Sequence, residues 1–287
     1  MPDFDTTNCT AVTPECPVSA TTYGYIPNLS ANAALAAIFG ICGVYHIVVG
    51  LKARSWTFGI ALAVGSLMEM IGYAFRIGMH NNVWNSDAFQ KQIVCLILAP
   101  SFVAAGIYWS LKHIVLYVGP ESSRLRPNLY PWVFIGCDIG SIILQAAGGG
   151  VAGAAGDGKP DLLNTGNSIM IAGIAFQIGT MAICGVLAVD FVYRARRNKA
   201  SGEKWGAGGG GRGGFYLFCA AEVWAYVTVL IRCIYRLPEM AGGWGNPLMQ
   251  NELEFLLLDG MMVALAVVGL TVFHPFWSCR FIIKNAA

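Results

Sequence analysis

Charge is what this chain has least of. Only 12% of its 287 residues are Asp, Glu, Lys or Arg, against 56% hydrophobic, and its mean hydropathy is +0.57. A soluble chain carries about 25% charged residues. There is too little polar side chain here to coat a globule, so part of the solvent must be lipid. A net charge of +2 is too small to point to nucleic acid. Histidine is scarce as well. Of His46, His80, His113 and His274, only His46 falls deep in an apolar run, so the multi-histidine zinc site of an intramembrane hydrolase cannot be built. The nine cysteines include no Cys-x-x-Cys pair. The last apolar run has no lysine for a retinal Schiff base, and serine-nucleophile and ATP-binding motifs are missing. The chain is therefore expected to be no enzyme and to need no cofactor.

What it does have is seven charge-poor runs, each long enough to cross a hydrocarbon core about 30 Å thick. They fall at about 29–51, 57–78, 91–117, 130–152, 166–193, 213–236 and 253–276. None alternates with period two, so strands are not expected. The fold class is an all-α integral membrane protein: a seven-transmembrane helix bundle over 26–280, preceded by an extracellular tail at 1–25. Basic residues set the orientation. With the amino terminus outside and the carboxyl terminus cytosolic, thirteen of the 18 Lys and Arg fall on the cytosolic side and five outside. The first 51 residues hold neither Lys nor Arg, so no basic signal-peptide start is expected. The plasma membrane is the expected location.

The tail contains Cys9 and Cys16, which in an oxidising exterior either close a small loop or stay free. Asn8-Cys9-Thr10 and Asn28-Leu29-Ser30 fit the glycosylation pattern, and Asn8, farther from the membrane, is the better acceptor. The segment 194–214 is basic and then glycine-rich. Gly206 to Gly211 satisfies G-x-G-x-x-G, but no strand precedes it, and a flexible cytosolic loop is expected. Pro100 interrupts the third run, and Gly136-x-x-x-Gly140 and Gly148-Gly149-Gly150 offer places where helices can approach closely.

Polar residues inside the runs carry the functional signal, because a charge at the bilayer centre costs at least ~2.5–3.5 kcal/mol and so turns inward. Glu69 and Arg76 are two helical turns apart, as are Asp138 and Gln145, and Glu252 and Asp259. Arg232, Arg236 and Glu239 form another single stripe, and Gln177 and Glu222 sit mid-span. Together these eleven are the candidate ligand-binding residues. They are expected to form a funnel opening outward, with acids at its floor and arginines at its rim. The arginines are expected to offset Glu69, Glu239 and Glu252, leaving Asp138, Glu222 or Asp259 for a cationic headgroup. The competing reading is that these side chains are glue between helices.

Specific strings now matter. Glu69 to Arg76 resembles the E-x-x-G-Y-x-x-R segment of the fungal RTA-like family of lipid-translocating exporters. Leu98 to Tyr108 is similar to that family's third-helix segment, and Asp138 to Gly150 to its D-x-x-S-x-x-x-Q-x-x-G-G-G. Gly173 to Gln177, Ile231 to Glu239 and the Glu252–Asp259 pair resemble its later motifs, in the same order over about Tyr23 to Phe276. The resemblance implies seven helices, an outer amino terminus and roles in lipid stress or drug resistance. It also implies the movement of sphingoid long-chain bases, sterol-like compounds or porphyrins. The expected partner is thus a membrane lipid or an amphipathic small molecule. A seven-helix lipid sensor is the main alternative and a lipid-modifying enzyme the weaker one.

Overall fold

The computed structural model describes residues 9–53, 55–155, 160–200 and 212–275. Asn8, the Gly206–Gly211 string and the end of the seventh run lie outside them. Seven long helices account for most of the described chain: α1 Leu29–Ala53, α2 Trp56–Asn81, α3 Ser86–Val118, α4 Leu129–Ala155, α5 Pro160–Ala200, α6 Arg212–Ala241 and α7 Glu252–Val272. Each is long and apolar enough to cross a membrane, and no strand occurs among the described residues. The chain is an integral multi-pass membrane protein.

The apolar runs located the helices, while local chemistry fixed their ends. Asn28 accepts from the Ala31 N–H at 3.0 Å, Asn85 from Ala88 at 3.0 Å and Asn251 from Glu254 at 3.4 Å, so three helices open on asparagine caps. The cap at Asn85 starts α3 five residues before the expected 91. Helix α5 likewise begins at Pro160, suited to a first helical position. Helix α6 continues through Pro238 to Ala241, beyond the expected end at 236.

Helix α1 packs on α2 and α7, α2 on α3, α4 on α5, and α6 on α5 and α7. Helix α3 borders α2, α4, α5 and α6, which makes it the axis of the bundle. The outside is apolar: Ile41, Ile143, Ile183 and Val186 all project outward, as lipid solvent allows. Lipid gives helices no hydrophobic reason to associate, so close packing and polar contacts must do it. A Cβ on Gly59 of α2 would lie 2.8 Å from the Gly50 Cα of α1. A Cβ on Gly148 of α4 would lie 2.6 Å from the Gly166 carbonyl of α5. Gly136 and Gly140 do not act this way. Nothing stands within 4 Å of a Cβ at Gly136, and only Phe176, at 3.9 Å, approaches one at Gly140.

Helix α7 departs from α geometry over Phe255–Met261, which is π-helical and carries Asp259. Such insertions into α-helices are frequent at functional sites.

Candidate polar core and its tail-side cover

At the centre of the buried polar set is Asp259, with no exposed surface. Arg232 Nε lies 2.8 Å and Arg236 Nε 3.1 Å from its Oδ1. These contacts are close but not aligned as hydrogen bonds, so attraction between charges, rather than directed bonding, holds the three together. Arg232 also donates to the Leu96 carbonyl of α3, and Arg236 donates to Glu239 at 2.7 Å. The i, i+4, i+7 stripe on α6 thus faces the π-helical turn of α7. This corrects one expectation: Asp259 is not an acid awaiting a cation, because two guanidiniums already reach it.

Arg76, also fully buried, sits nearer the end of the bundle that carries the tail. It donates from Nε to Asn32 at 3.0 Å and from Nη2 to the Tyr25 hydroxyl at 2.6 Å, and lies 3.7 Å from Glu252. Its guanidinium stands 4.1 Å from the Phe255 ring centroid and 4.9 Å from that of Tyr23. The tail is therefore part of the site. The Tyr23 hydroxyl accepts from Gln92, the Asn28 N–H donates to Glu252 at 2.6 Å, and the Pro27 carbonyl meets His80 at 2.7 Å. Cys9 and Cys16 are joined as a disulfide, with Cα atoms 5.8 Å apart. That loop rests on the α2–α3 link through Asn82 to the Thr10 carbonyl and Trp84 to the Cys16 carbonyl.

This cover corrects a second expectation. The polar set does not open as a funnel at the tail end, because Tyr23 and Tyr25 lie over Arg76. Burial pushes the Tyr23 hydroxyl up to about 12 and raises that of Tyr25 too, with the Arg76 charge working against burial in both.

Three acids remain without an ion pair among the described residues. Neither carboxylate oxygen of Glu69 has a hydrogen-bond partner, and Arg232 is its strongest charged neighbour. The expected arginine contact to Glu69 is absent because Arg76 turns toward the tail and Arg232 toward Asp259. Asp138 on α4 is 2% exposed and faces the Tyr108 hydroxyl of α3, without a well-formed hydrogen bond. Glu222 on α6 accepts from Ser110 of α3 at 2.7 Å through one oxygen, and its other oxygen has no partner. Between these groups runs an amide ladder. Gln145 donates to Ser141 at 2.8 Å and to Gln177 at 3.2 Å, and Gln177 donates to Ser101 at 3.0 Å. Gln145, Gln177, Arg232 and Arg236 border a crevice of about 10 Å³, room for one water.

The sequence spacing found the charged members of this core but missed Tyr23, Tyr25, Asn32, Gln92, Tyr108 and Ser110. Asn32 carried a signal, as an amide among alanines at the start of the first apolar run, whereas Gln92 was masked by its neighbours Gln90 and Lys91. Tyr23 and Tyr25 carried none, since a tail gives no periodicity to read.

Most of the chain, residues 62–281, matches the family described as RTA1 like protein. The sphingoid long-chain base transporter RSB1 of Saccharomyces cerevisiae (strain Lalvin EC1118 / Prise de mousse) is 34% identical over 88% of this chain and 72% of its own length. Protein RTA1 of Saccharomyces cerevisiae (strain ATCC 204508 / S288c) is 24% identical, over 88% of this chain and 84% of its own. Protoporphyrin uptake protein 1 of the same strain is 24% identical, over 79% and 71% respectively. No solved structure matches the chain. The family match takes in all but the first helix and part of the second, together with every charged residue of the polar core from Glu69 to Asp259, and the chain belongs to the RTA1-like family.

Proposed function

We infer that the protein moves amphipathic lipid-like molecules across the bilayer, and that a cationic long-chain base is the ligand its interior suits best. The observation that carries this is the contrast between two sets of acids. Asp259 and Glu239 have guanidinium partners, whereas Asp138 and Glu222, 2% and 5% exposed, have no ion pair among the described residues. A bare carboxylate is costly in low dielectric, and an ammonium headgroup arriving beside it offsets that cost. The printed name of the RSB1 relative supports a sphingoid base, while that of the porphyrin relative supports a broader amphiphile range. Glu69, Asp138 and Glu222 would receive the headgroup, with Gln145 and Gln177 lining its path. Arg76, Arg232, Arg236, Glu239, Glu252 and Asp259 would hold the helices around it.

The same reading sets the tail outside and the carboxyl terminus in the cytosol, in the plasma membrane. The basic asymmetry supports it, as does the Cys9–Cys16 bridge, which suits an oxidising exterior. Asn8 would then be open to glycosylation.

The test is flux of a long-chain base and of a neutral single-chain analogue in liposomes holding only the purified protein. Asp138→Asn and Glu222→Gln are expected to slow the cationic ligand more than the neutral one. Equal flux of both ligands in every variant would discard the cation site. Binding without any flux would favour the sensor, and a chemically altered lipid would favour the enzyme.

A further inference from the structure

A sizeable cavity lies away from the polar core, at the end of the bundle opposite the tail. It is a side groove of about 600 Å³ between the last turns of α3 and α5 and the first half of α6. That volume is within the range of small-ligand sites, about 300–1,000 Å³. Its walls are apolar and aromatic: Ile114 and Val118 from α3, Phe191 from α5, and Phe215, Trp224 and Val227 from α6. Along α6 the lining runs from Phe215 to Val227, a rise of twelve residue steps and so about 18 Å. That is close to one leaflet of a ~30 Å hydrocarbon core.

Charge at the mouth narrows the choice of occupant. Arg196 is the charged side chain lining the groove, it is exposed, and among the described residues it makes no ion pair. Its neighbour Arg194 is already committed to Asp190 at 3.0 Å, and Arg124 reaches the same carboxylate at 2.9 Å. The groove therefore offers a leaflet-deep slot for a hydrocarbon chain and one uncommitted guanidinium at the headgroup level. Guanidinium favours phosphate, and basic pockets between membrane helices take anionic headgroups. A cationic long-chain base would be repelled there.

We propose that this groove is a second lipid site, which holds one acyl chain of an anionic phospholipid from the leaflet opposite the tail, with its phosphate on Arg196. The site is independent of the cation site in the polar core.

Native mass spectrometry of the full chain, purified in detergent and offered phosphatidylserine or phosphatidylcholine, tests this. One phosphatidylserine per chain is expected, held about tenfold more tightly than phosphatidylcholine. Arg196→Ala should erase that preference, Ala220→Trp should fill the groove and weaken both lipids, and Arg126→Ala, an exposed arginine elsewhere, should change neither. Equal binding of the two lipids by the wild type, or adducts unaffected by both groove variants, would overturn the proposal and leave ordinary surrounding lipid. A dimer that Ala220→Trp splits, with phosphatidylserine adducts intact, would overturn it in favour of a second copy of the chain. Arg196 is exposed, so its variant decides the matter even if Ala220→Trp folds poorly. Liposome flux reads the cation site separately, and the two ideas can fail one at a time.

Discussion

Arg236 touches Glu239 at 2.7 Å and Asp259 at 3.1 Å, so its removal strands Glu239 and leaves Asp259 with Arg232 alone. Arg236→Ala is expected to cost about 3–5 kcal/mol, the range for breaking a buried pair from one side. Asp138→Asn removes a carboxyl that has no ion pair among the described residues, so it should leave stability unchanged or raise it. A thermal-shift comparison of the two variants in one detergent checks both; equal losses would mean that Asp138 is glue like the rest. The sequence made these residues legible as a set, because charges in apolar runs stand out. It could not say which acid meets which arginine, since that depends on the rotation of α6 against α7, and the π-helical turn at Phe255–Met261 alters it. Tyr23 supplies a pH test at the same scale. Its hydroxyl is raised from 10.0 to about 12 in the docked tail. Docking is thus favoured fully below pH 10, and that contribution is lost as pH rises toward about 12. Proteolysis of the tail should accelerate across that alkaline window in the wild type and less steeply in Tyr23→Phe, where the raised Tyr25 hydroxyl still titrates.

Among the elements, the α4–α5 contact is the closest test of packing in lipid. Gly148 and Gly166 bring two backbones together where a Cβ would meet carbonyl and amide atoms at 2.5–2.7 Å. Gly148→Val should therefore destabilise by at least the ~1–3 kcal/mol of ordinary overpacking, because backbone cannot swing aside as a side chain can. Gly136→Ala, with open space around it, should be neutral or stabilising by up to ~1 kcal/mol through helix propensity. Unfolding of both variants, followed by helical signal, distinguishes a packing glycine from an incidental one. The sequence alone gave the two sites equal standing. Spacing marks where a small residue could permit contact, while the partner helix decides whether contact occurs. The seven helices themselves were readable because charge-free length is a direct consequence of bilayer thickness. Their ends were less so, since Asn85 extends α3 by hydrogen bonding rather than by hydropathy.

Across the whole molecule, a ligand in the polar core has two ways out: between helices into lipid, or past the tail. The tail way is shut by Tyr23 and Tyr25 over Arg76, by Asn28 on Glu252 and by the disulfide loop on the α2–α3 link. If ligand leaves at that end, undocking of the tail must come first, and the hydrogen bonds that hold it down set a barrier to release. The Tyr25 hydroxyl on Arg76, at 2.6 Å, is the one whose removal changes least else. A hydrogen bond to a charged group is worth about 1.5–3 kcal/mol. Tyr25→Phe should shift the docking equilibrium by that amount, about tenfold or more toward the open tail. The expected result is faster labelling of a cysteine introduced at Ala88, which is buried in the apolar cluster that holds Tyr23, together with faster release of preloaded long-chain base from liposomes. The two readouts separate the routes. Faster labelling with unchanged release means that the tail opens but ligand leaves sideways into lipid, and the tail is then a structural clasp. Unchanged labelling means that Asn28 and the disulfide loop hold the cover without Tyr25. Only when both rates rise together does the tail act as the gate.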